Sequence, residues 1–233
     1  MRKLGIIGGL SWASTALYYR HINKAVQKRT NAGCSAPLLI ESLNSCDLSR
    51  LSSDEQWAHA QNVLIESAQR LETAGAGALL IAANSMYRLY DAVQAAIGIP
   101  VIHIVEATAA AVKAGGHRNV AIIGTKNVMT EKWYRQRMVG QGLVLSPPDL
   151  VRAEAIDAIV YDELMLGRET EASRRAMRTL LTDIAKDEDV EALVLACTEL
   201  VMLVDPDANI LPVYDSTRLH ALAGVDWIMG DAP

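Results

Sequence analysis

The sequence predicts an α/β fold made of two pseudo-symmetric, Rossmann-like parallel-sheet domains with the active site between them. Two observations support this prediction. Short apolar runs alternate with longer segments of helical period, which is the pattern of a parallel sheet covered by helices. In addition, three landmarks recur in the same order and at nearly constant spacing: Gly8 matches Gly124, Ala83 matches Cys197, and Pro100 matches Pro212. Two related halves explain this repetition better than chance does.

The elements follow from the same pattern. Three longer segments, residues 53–73, 169–186 and 216–229, are candidate helices, and the first two carry an apolar stripe at helical spacing. Short apolar runs between such segments are candidate strands. They span residues 4–7, 38–42, 78–82, 101–102, 120–123, 192–196 and 211–213.

The repeat also predicts the domain boundaries. The first domain is expected over residues 1–102 together with 210–233, and the second over residues 103–209. In this interpretation the last strand and the helix after it return to the first half. The chain would then cross between the halves twice, near residues 102–106 and 205–211, and the crossings would act as a hinge.

Composition indicates an ordinary globular protein. Of the 233 residues, 51% are hydrophobic and 21% are charged, which is enough for a full core. The net charge of −5 and the lack of a Lys/Arg-rich run argue against a nucleic-acid partner. No apolar run reaches the length of a membrane span, so no membrane association is expected. The three cysteines have neither disulfide nor metal-ligand spacing, which favours a reducing cytoplasm.

Small or polar residues follow four of the predicted strands. In parallel α/β sheets, ligands bind beyond the carboxyl ends of the strands, so these residues should surround a pocket. Cys197 is the sharpest candidate, because a cysteine at the start of a helix should have its thiolate favoured by the helix dipole. The alternative is a cysteine that simply ends a buried apolar run. The groups concerned are residues 8–9, 83–85, 124–125 and 197–199.

Taken together, four motifs resemble the aspartate/glutamate racemase family, close to the bacterial acidic or broad-range amino acid racemases. The resemblance covers nearly the whole chain. It implies catalysis without pyridoxal phosphate or metal, by two cysteines that act on opposite faces of the substrate. No dinucleotide cofactor is expected either, since the opening glycines lack GxGxxG spacing. The motifs are Gly-Gly-Leu-Ser-Trp at 8–12, Asn-Ser-Met at 84–86, Cys-Thr-Glu-Leu at 197–200 and Pro-Val-Tyr-Asp at 212–215.

The chain departs from the family pattern at the first cysteine, where it has Ala83. Tyr87 stands where a histidine often follows, and Ala13 where an acidic residue is frequent. The positions that the resemblance assigns to substrate binding are better preserved. Those expected to hold the α-carboxylate or amino group, or to line that site, are Gly9, Leu10, Asn84, Ser85, Thr125 and Thr198.

The segment after the second predicted strand, residues 44–53, occupies the position of the family's specificity loop. Recognition of a side-chain carboxylate needs a cationic or hydroxyl group there. Arg50 and Ser52 are the candidates, because arginine can bind a carboxylate through two parallel hydrogen bonds. The alternative for Arg50 is a solvated loop charge.

The resemblance therefore predicts an enzyme that racemises aspartate or glutamate, biased from L to D. Cys197 would remove the α-proton of the L-enantiomer, and Ala83 could not return a proton to the other face. An arylmalonate-decarboxylase-like enzyme with one cysteine is an alternative, as is a catalytically impaired amino-acid-binding protein. The expected partners are a small-molecule amino acid and, in a homodimer, a second copy of the chain.

Overall fold

The computed structural model describes residues 1–205 and 208–230, and within it the chain divides into two compact units. The first comprises residues 1–103 with the chain from residue 220 onward, and the second comprises Ile104–Leu219. Each unit has its own parallel sheet and its own hydrophobic core. The predicted α/β class with parallel sheets is confirmed.

The first unit contains a sheet in the order β2-β1-β3, with every pair parallel. A single parallel bridge from Leu79 to Val101 adds a fourth position beyond β3. Its elements are β1 (Leu4–Gly8), α1 (Trp12–Arg29), β2 (Leu38–Ser42), α2 (Asp54–Thr73), β3 (Ala78–Ile81) and α3 (Tyr90–Ala95), with short 3-10 helices at Ser45–Asp47 and Ser85–Leu89.

Serine caps explain where the long helices of this unit begin. The Ser11 hydroxyl accepts the N–H of Ser14 at the start of α1. Ser53 and Gln56 exchange hydrogen bonds in a capping box at the start of α2. Such caps satisfy N–H groups that have no partner within the helix. The predicted helix over residues 53–73 is thus confirmed to within one residue.

The second unit contains a sheet in the order β5-β4-β6-β7, again all parallel. Short 3-10 helices lie at Leu164–Leu166 and Thr198–Met202. Its other elements are α4 (Ile104–Ala114), β4 (Asn119–Gly124), α5 (Lys126–Thr130), α6 (Lys132–Gly140), β5 (Val144–Leu145), α7 (Leu150–Asp162), α8 (Glu171–Ile184), β6 (Ala192–Ala196) and β7 (Val213–Asp215). A ninth helix, α9 (Ser216–Met229), starts in this unit and passes into the first at His220.

The two sheets repeat one topology, as the internal repeat predicts. In each, the first strand of the unit lies between the second and the third. Next to the third strand lies a fourth segment, which is the bridge at Val101 in the first sheet and β7 in the second. The same backbone hydrogen bond marks that position in both: Leu79 N–H donates to the Pro100 carbonyl and Leu193 N–H donates to the Pro212 carbonyl, each at 2.9 Å.

Two expectations about this fourth position were wrong. The strand predicted at residues 211–213 was assigned to the first half, but β7 pairs with β6 in the second sheet. Residues 210–219 therefore belong to the second unit, and the return to the first lies within α9 rather than near 205–211. Part of that predicted crossing, residues 206–207, lies outside the described residues. In the first unit, residues 101–102 contribute one bridge rather than a strand.

The cores lie along the sheets. Leu4, Ile6 and Leu80 pack in the first unit against residues of α1 and α9, and Leu193 and Leu195 pack in the second against residues of α7 and α8. Purely apolar strands of this kind are expected where helices cover both faces of a parallel sheet. Across the two described ranges, no helix is long and apolar enough to cross a membrane.

Candidate active site

Cys197 extends β6 by one residue at its carboxyl end. β6 is wholly apolar and buried, and Cys197 keeps the extended backbone with φ −152° and ψ 129° before the 3-10 helix Thr198–Met202 begins. Its side chain is only 6% exposed. A buried thiol therefore lies at the sheet edge where parallel α/β proteins bind ligands.

The thiol belongs to a cluster of three consecutive polar side chains. The Cys197 thiol donates to the carboxylate of Glu199, with Sγ 3.2 Å from Oε2. The Thr198 hydroxyl donates to the same oxygen at 2.6 Å. All three residues are buried. The structure thus brings together the predicted Cys197 and Thr198, and it adds Glu199, which sequence reasoning included only as part of the motif.

The protonation of Cys197 differs from the sequence expectation. Burial, followed by the negative charge of Glu199, raises the pKa of the thiol well above its ordinary value. The N–H groups of Glu199 and Leu200 act in the opposite direction, but burial is the larger influence. The expectation that the helix start favours the thiolate is therefore wrong. A five-residue 3-10 helix follows Cys197, and its few aligned peptide dipoles do not offset the loss of water.

Thr125 lies beside Cys197 at the end of the neighbouring strand. Gly124 pairs with Ala196 in parallel register, so the residues that follow them are neighbours at one sheet edge. Thr125 is 9% exposed, and its Oγ1 has no hydrogen-bond partner in the described part of the chain. A buried hydroxyl without a partner is costly and needs an explanation, and a bound ligand group would supply one.

The strand on the other side of β6 contributes two polar residues that sequence reasoning did not select for the site. β7 ends at Asp215, which is paired with Leu195 and accepts the N–H of Thr217 at 2.9 Å. Burial raises the pKa of the Asp215 carboxyl. The buried Thr217 Oγ1 also has no hydrogen-bond partner within the described ranges. The signal in the sequence was their position directly after a strand.

In the first unit, Gly9 and Leu10 follow β1. Gly9 has φ +75°, and a Cβ built on it would lie 2.1 Å from the carbonyl oxygen of Leu43. Only glycine fits this close approach between the loops after β1 and β2. The Gly9 N–H donates to the Thr15 hydroxyl at 2.8 Å, and Leu10 is buried. The fold therefore requires a glycine at position 9.

Ala83, Asn84 and Ser85 follow β3, the neighbour of β1, so they lie at the same sheet edge as Gly9 and Leu10. Asn84 is buried, and its carbonyl accepts the N–H of Tyr87 at 3.2 Å. Ala83 and Ser85 are partly exposed. The structure thus gathers four of the predicted binding residues at one edge of the first sheet.

Tyr87 is tied into a buried network behind this edge. Its hydroxyl donates to the carbonyl of Ile102 at 2.9 Å and lies 3.0 Å from Nε2 of His220. Nδ1 of His220 is 2.7 Å from the hydroxyl of Tyr18. Burial lowers the pKa of His220 to about 4. Tyr87 therefore has a structural role that joins the segment after β3 to α9.

The two candidates for specificity differ in their surroundings. Ser52 is exposed, and its N–H and hydroxyl both donate to Oε1 of Gln56, so it takes part in the cap of α2. Arg50 is also exposed and has φ +51°, in the left-handed region. No group of three or more His, Cys, Asp or Glu side chains in residues 1–205 and 208–230 could hold a metal ion.

This arrangement defines an α/β protein in which polar residues follow the carboxyl ends of the strands in each of two parallel sheets, and in which a buried thiol is one of these residues. The chain belongs to the Asp/Glu/hydantoin racemase family, whose profile matches residues 7–224. The family assignment expected from the sequence motifs is confirmed.

Three similar proteins illustrate this membership. The broad specificity amino-acid racemase RacX of Bacillus subtilis (strain 168) is 22% identical, and the match covers 95% of this chain and 96% of that protein. A Yersinia pestis protein provisionally named an Asp/Glu racemase has a crystal structure with a TM-score of 0.89 and 34% identity, over 98% of this chain and 100% of that one. PH1733, an aspartate racemase homologue from Pyrococcus horikoshii OT3, has a TM-score of 0.84 and 28% identity, over 98% and 100% of the two chains.

Proposed function

We propose that the protein racemises acidic amino acids, aspartate or glutamate, without pyridoxal phosphate, and that Cys197 removes the α-proton of the L-enantiomer. One observation carries the proposal: a buried thiol lies at the end of β6 and donates to a carboxylate, and the Thr125 hydroxyl, at the end of the neighbouring β4, has no hydrogen-bond partner among the described residues. The thiol and the carboxylate can take part in a proton transfer, and the Thr125 hydroxyl can bind a polar group of a ligand.

The proposal assigns the substrate's polar groups to named residues. The α-carboxylate and amino group are held by Asn84, Ser85, Thr125 and Thr198, with Gly9 and Leu10 lining that position. Arg50 or Ser52, in the loop after β2, binds the side-chain carboxylate through a cationic or a hydroxyl group. The support is that Asn84 and Thr198 are buried polar residues and that Thr125 has an unsatisfied hydroxyl.

The bias toward the L-enantiomer follows from Ala83. Cys197 deprotonates L-substrate to a planar carbanion, but a methyl group cannot deprotonate the D-enantiomer, and water is a poor base at neutral pH. Since the two enantiomers have equal free energy, no catalyst can shift their equilibrium. The bias therefore appears in the rate of proton exchange at Cα, because the L-substrate loses its α-proton many times for each inversion. Inversion is rarer because the proton for the other face has to come from water or from the Ser85 hydroxyl.

Deuterium exchange at Cα tests the proposal. In D2O, the wild-type protein should exchange the α-proton of L-aspartate or L-glutamate, and Cys197→Ala should not. Cys34→Ser is the matched control, because Cys34 lies before β2 in the first unit, outside the specificity loop. The proposal fails if the wild-type protein leaves both L-amino acids unexchanged, or if Cys197→Ala exchanges them as fast.

A second candidate function is favoured by the protonation of Cys197. A thiol whose pKa is raised is suited to donate a proton to a carbanion, as an arylmalonate-decarboxylase-like enzyme would require. Release of CO2 from an arylmalonate, without exchange of amino acid α-protons, would support it over the racemase. Binding of aspartate or glutamate with neither reaction would instead indicate a catalytically impaired binding protein.

A further inference from the structure

The second unit contains a cavity that the proposed reaction does not use. Its volume is about 290 Å³, and most of its lining residues are apolar. None of the residues assigned to catalysis or to substrate binding lines it. The apolar walls include Ala121 and Ile123 of β4, Met129 of α5, Ile156 of α7, Leu180 of α8, and Val190.

One cation at the cavity, Arg135 of α6, has no acidic partner. It is partly buried, and its guanidinium donates to the carbonyl of Met129 at 3.2 Å and to that of Ser146 at 2.7 Å. These carbonyls engage only part of its N–H donors and carry no net charge. No carboxylate in residues 1–205 and 208–230 pairs with Arg135, and burial lowers its pKa. A bound anion would neutralise this partly desolvated charge.

The other charged side chains that line the cavity are balanced or solvated without a ligand. Arg152 is paired with Asp149 at 3.1 Å, and Asp183 is paired with Lys186 at 2.8 Å. Asp187 is exposed to solvent. The guanidinium on α6 is therefore the charge for which a ligand in the cavity would supply the missing partner.

A surface groove adjoins the cavity and gives a longer ligand room to extend. The groove is lined by α7 and α8, has a volume of about 680 Å³, and shares Ile156 and Leu180 with the cavity. Its charged residues Glu171 and Arg175 are exposed. Small-molecule sites are typically concave spaces of about 300–1,000 Å³ with mostly apolar walls and a few polar groups. The cavity and its groove together meet this description.

We propose that this cavity binds an amphipathic monocarboxylate, of the kind of a medium-chain fatty acid. The carboxylate pairs with Arg135, because a planar guanidinium binds a carboxylate through parallel hydrogen bonds. The hydrocarbon chain lies against the apolar walls and leaves water, which favours binding. An acidic amino acid does not suit this cavity, since its ammonium group and second carboxylate would face those walls. The site is therefore separate from the proposed substrate site and does not depend on racemase activity.

Isothermal titration calorimetry with octanoate as the probe tests the site. Octanoate should bind at least about tenfold more tightly than 1-octanol, which has the same chain without the charge. It should also bind at least about tenfold more tightly than acetate, which has the charge without the chain. In Arg135→Met the preference for octanoate over 1-octanol should disappear. Arg137→Met is the matched control and should keep it, because Arg137 is on the same helix but outside the cavity and pairs with Glu106 at 2.7 Å.

The inference is overturned if the wild-type protein does not bind octanoate, if it binds octanoate and 1-octanol equally, or if Arg135→Met keeps the preference. Should Arg135→Met not fold, Ala121→Ile is the second test. It narrows the cavity with a residue type that favours strands, so octanoate binding should weaken at least about tenfold. Unchanged binding in Ala121→Ile would count against the cavity. Excess L-aspartate should not displace octanoate, and displacement would assign the probe to the substrate site instead.

Discussion

At the scale of single residues, environment rather than position decides what Cys197 can do. Its place after β6 was readable from the sequence, because an apolar run ended in Cys-Thr-Glu. The sequence could not show that Glu199 would fold back to 3.2 Å from the sulfur or that burial would dominate its pKa. Both depend on side-chain packing in three dimensions, so the expectation of a thiolate was wrong.

The opposite position, Ala83, gives the first prediction at this scale. Ala83→Cys supplies a thiol that can deprotonate the D-enantiomer, so Cα exchange of D-aspartate or D-glutamate should rise by about 100-fold or more. Racemisation in both directions should rise with it. Ala83→Val is the control, because it adds similar bulk without an ionisable group. No gain in D-exchange with Ala83→Cys would contradict the assignment of Ala83 to the substrate's D face.

Thr125 gives the second prediction, from the cost of a hydroxyl without a partner. In Thr125→Val the free energy of unfolding should stay the same or rise by up to about 1 kcal/mol, since no hydrogen bond is lost. The KM for L-aspartate or L-glutamate should rise about tenfold, which corresponds to ~1.4 kcal/mol. Urea unfolding and initial rates of Cα exchange measure the two effects.

The matched control is Thr108→Val. Thr108 is also buried in the second unit, but its hydroxyl donates to the carbonyl of Ile104 at 2.7 Å. That variant should lose about 1 kcal/mol of stability and keep its KM. If Thr125→Val behaves in the same way as Thr108→Val, Thr125 is a structural residue and its place in the binding site is wrong.

At the scale of elements, the sequence predicted those with strong local signals. The stripe and serine cap of α2 placed it to within one residue, and the apolar runs located β1, β3, β4 and β6. The error was the sheet to which β7 belongs. Its three residues carry no information about their partner, which is decided by pairing with β6 and by the connection through α9.

The His220 network gives a prediction at this scale. Because burial lowers the pKa of His220 from 6.5 to about 4, the unfolded chain binds a proton that the folded chain does not between these values. The stabilisation is complete above pH 6.5 and is lost as pH falls toward 4. This group alone should cost up to about 3 kcal/mol of unfolding free energy at the acid end.

Urea unfolding against pH checks it. The wild-type protein should lose more stability between pH 6.5 and 4 than His220→Gln, which has no group to protonate there. His59→Gln, a change at an exposed histidine of the same unit, should keep the wild-type pH dependence. Parallel curves for wild type and His220→Gln would show that the imidazole is not held neutral in the fold.

At the scale of the whole molecule, one topology is used twice with different strand-end chemistry. Both units have the same strand order and the same bond to a proline carbonyl. The repeat is visible in the sequence because the residues at the strand ends and the prolines recur at nearly constant spacing. The oligomeric state is harder to predict from the sequence. We expect a homodimer in the cytoplasm, and light scattering that gives the mass of one chain would contradict the dimer.

In the proposed reaction one thiol, that of Cys197, removes a proton from only one face of the substrate's α-carbon. The most direct measurement compares Cα deuterium exchange of L- and D-aspartate, or L- and D-glutamate, by the wild-type protein in D2O. We predict that the L-enantiomer exchanges about 100-fold faster or more, since Cys197 is the only thiol assigned to the reaction. Equal exchange of the two enantiomers, or no exchange of the L-enantiomer, would contradict the account.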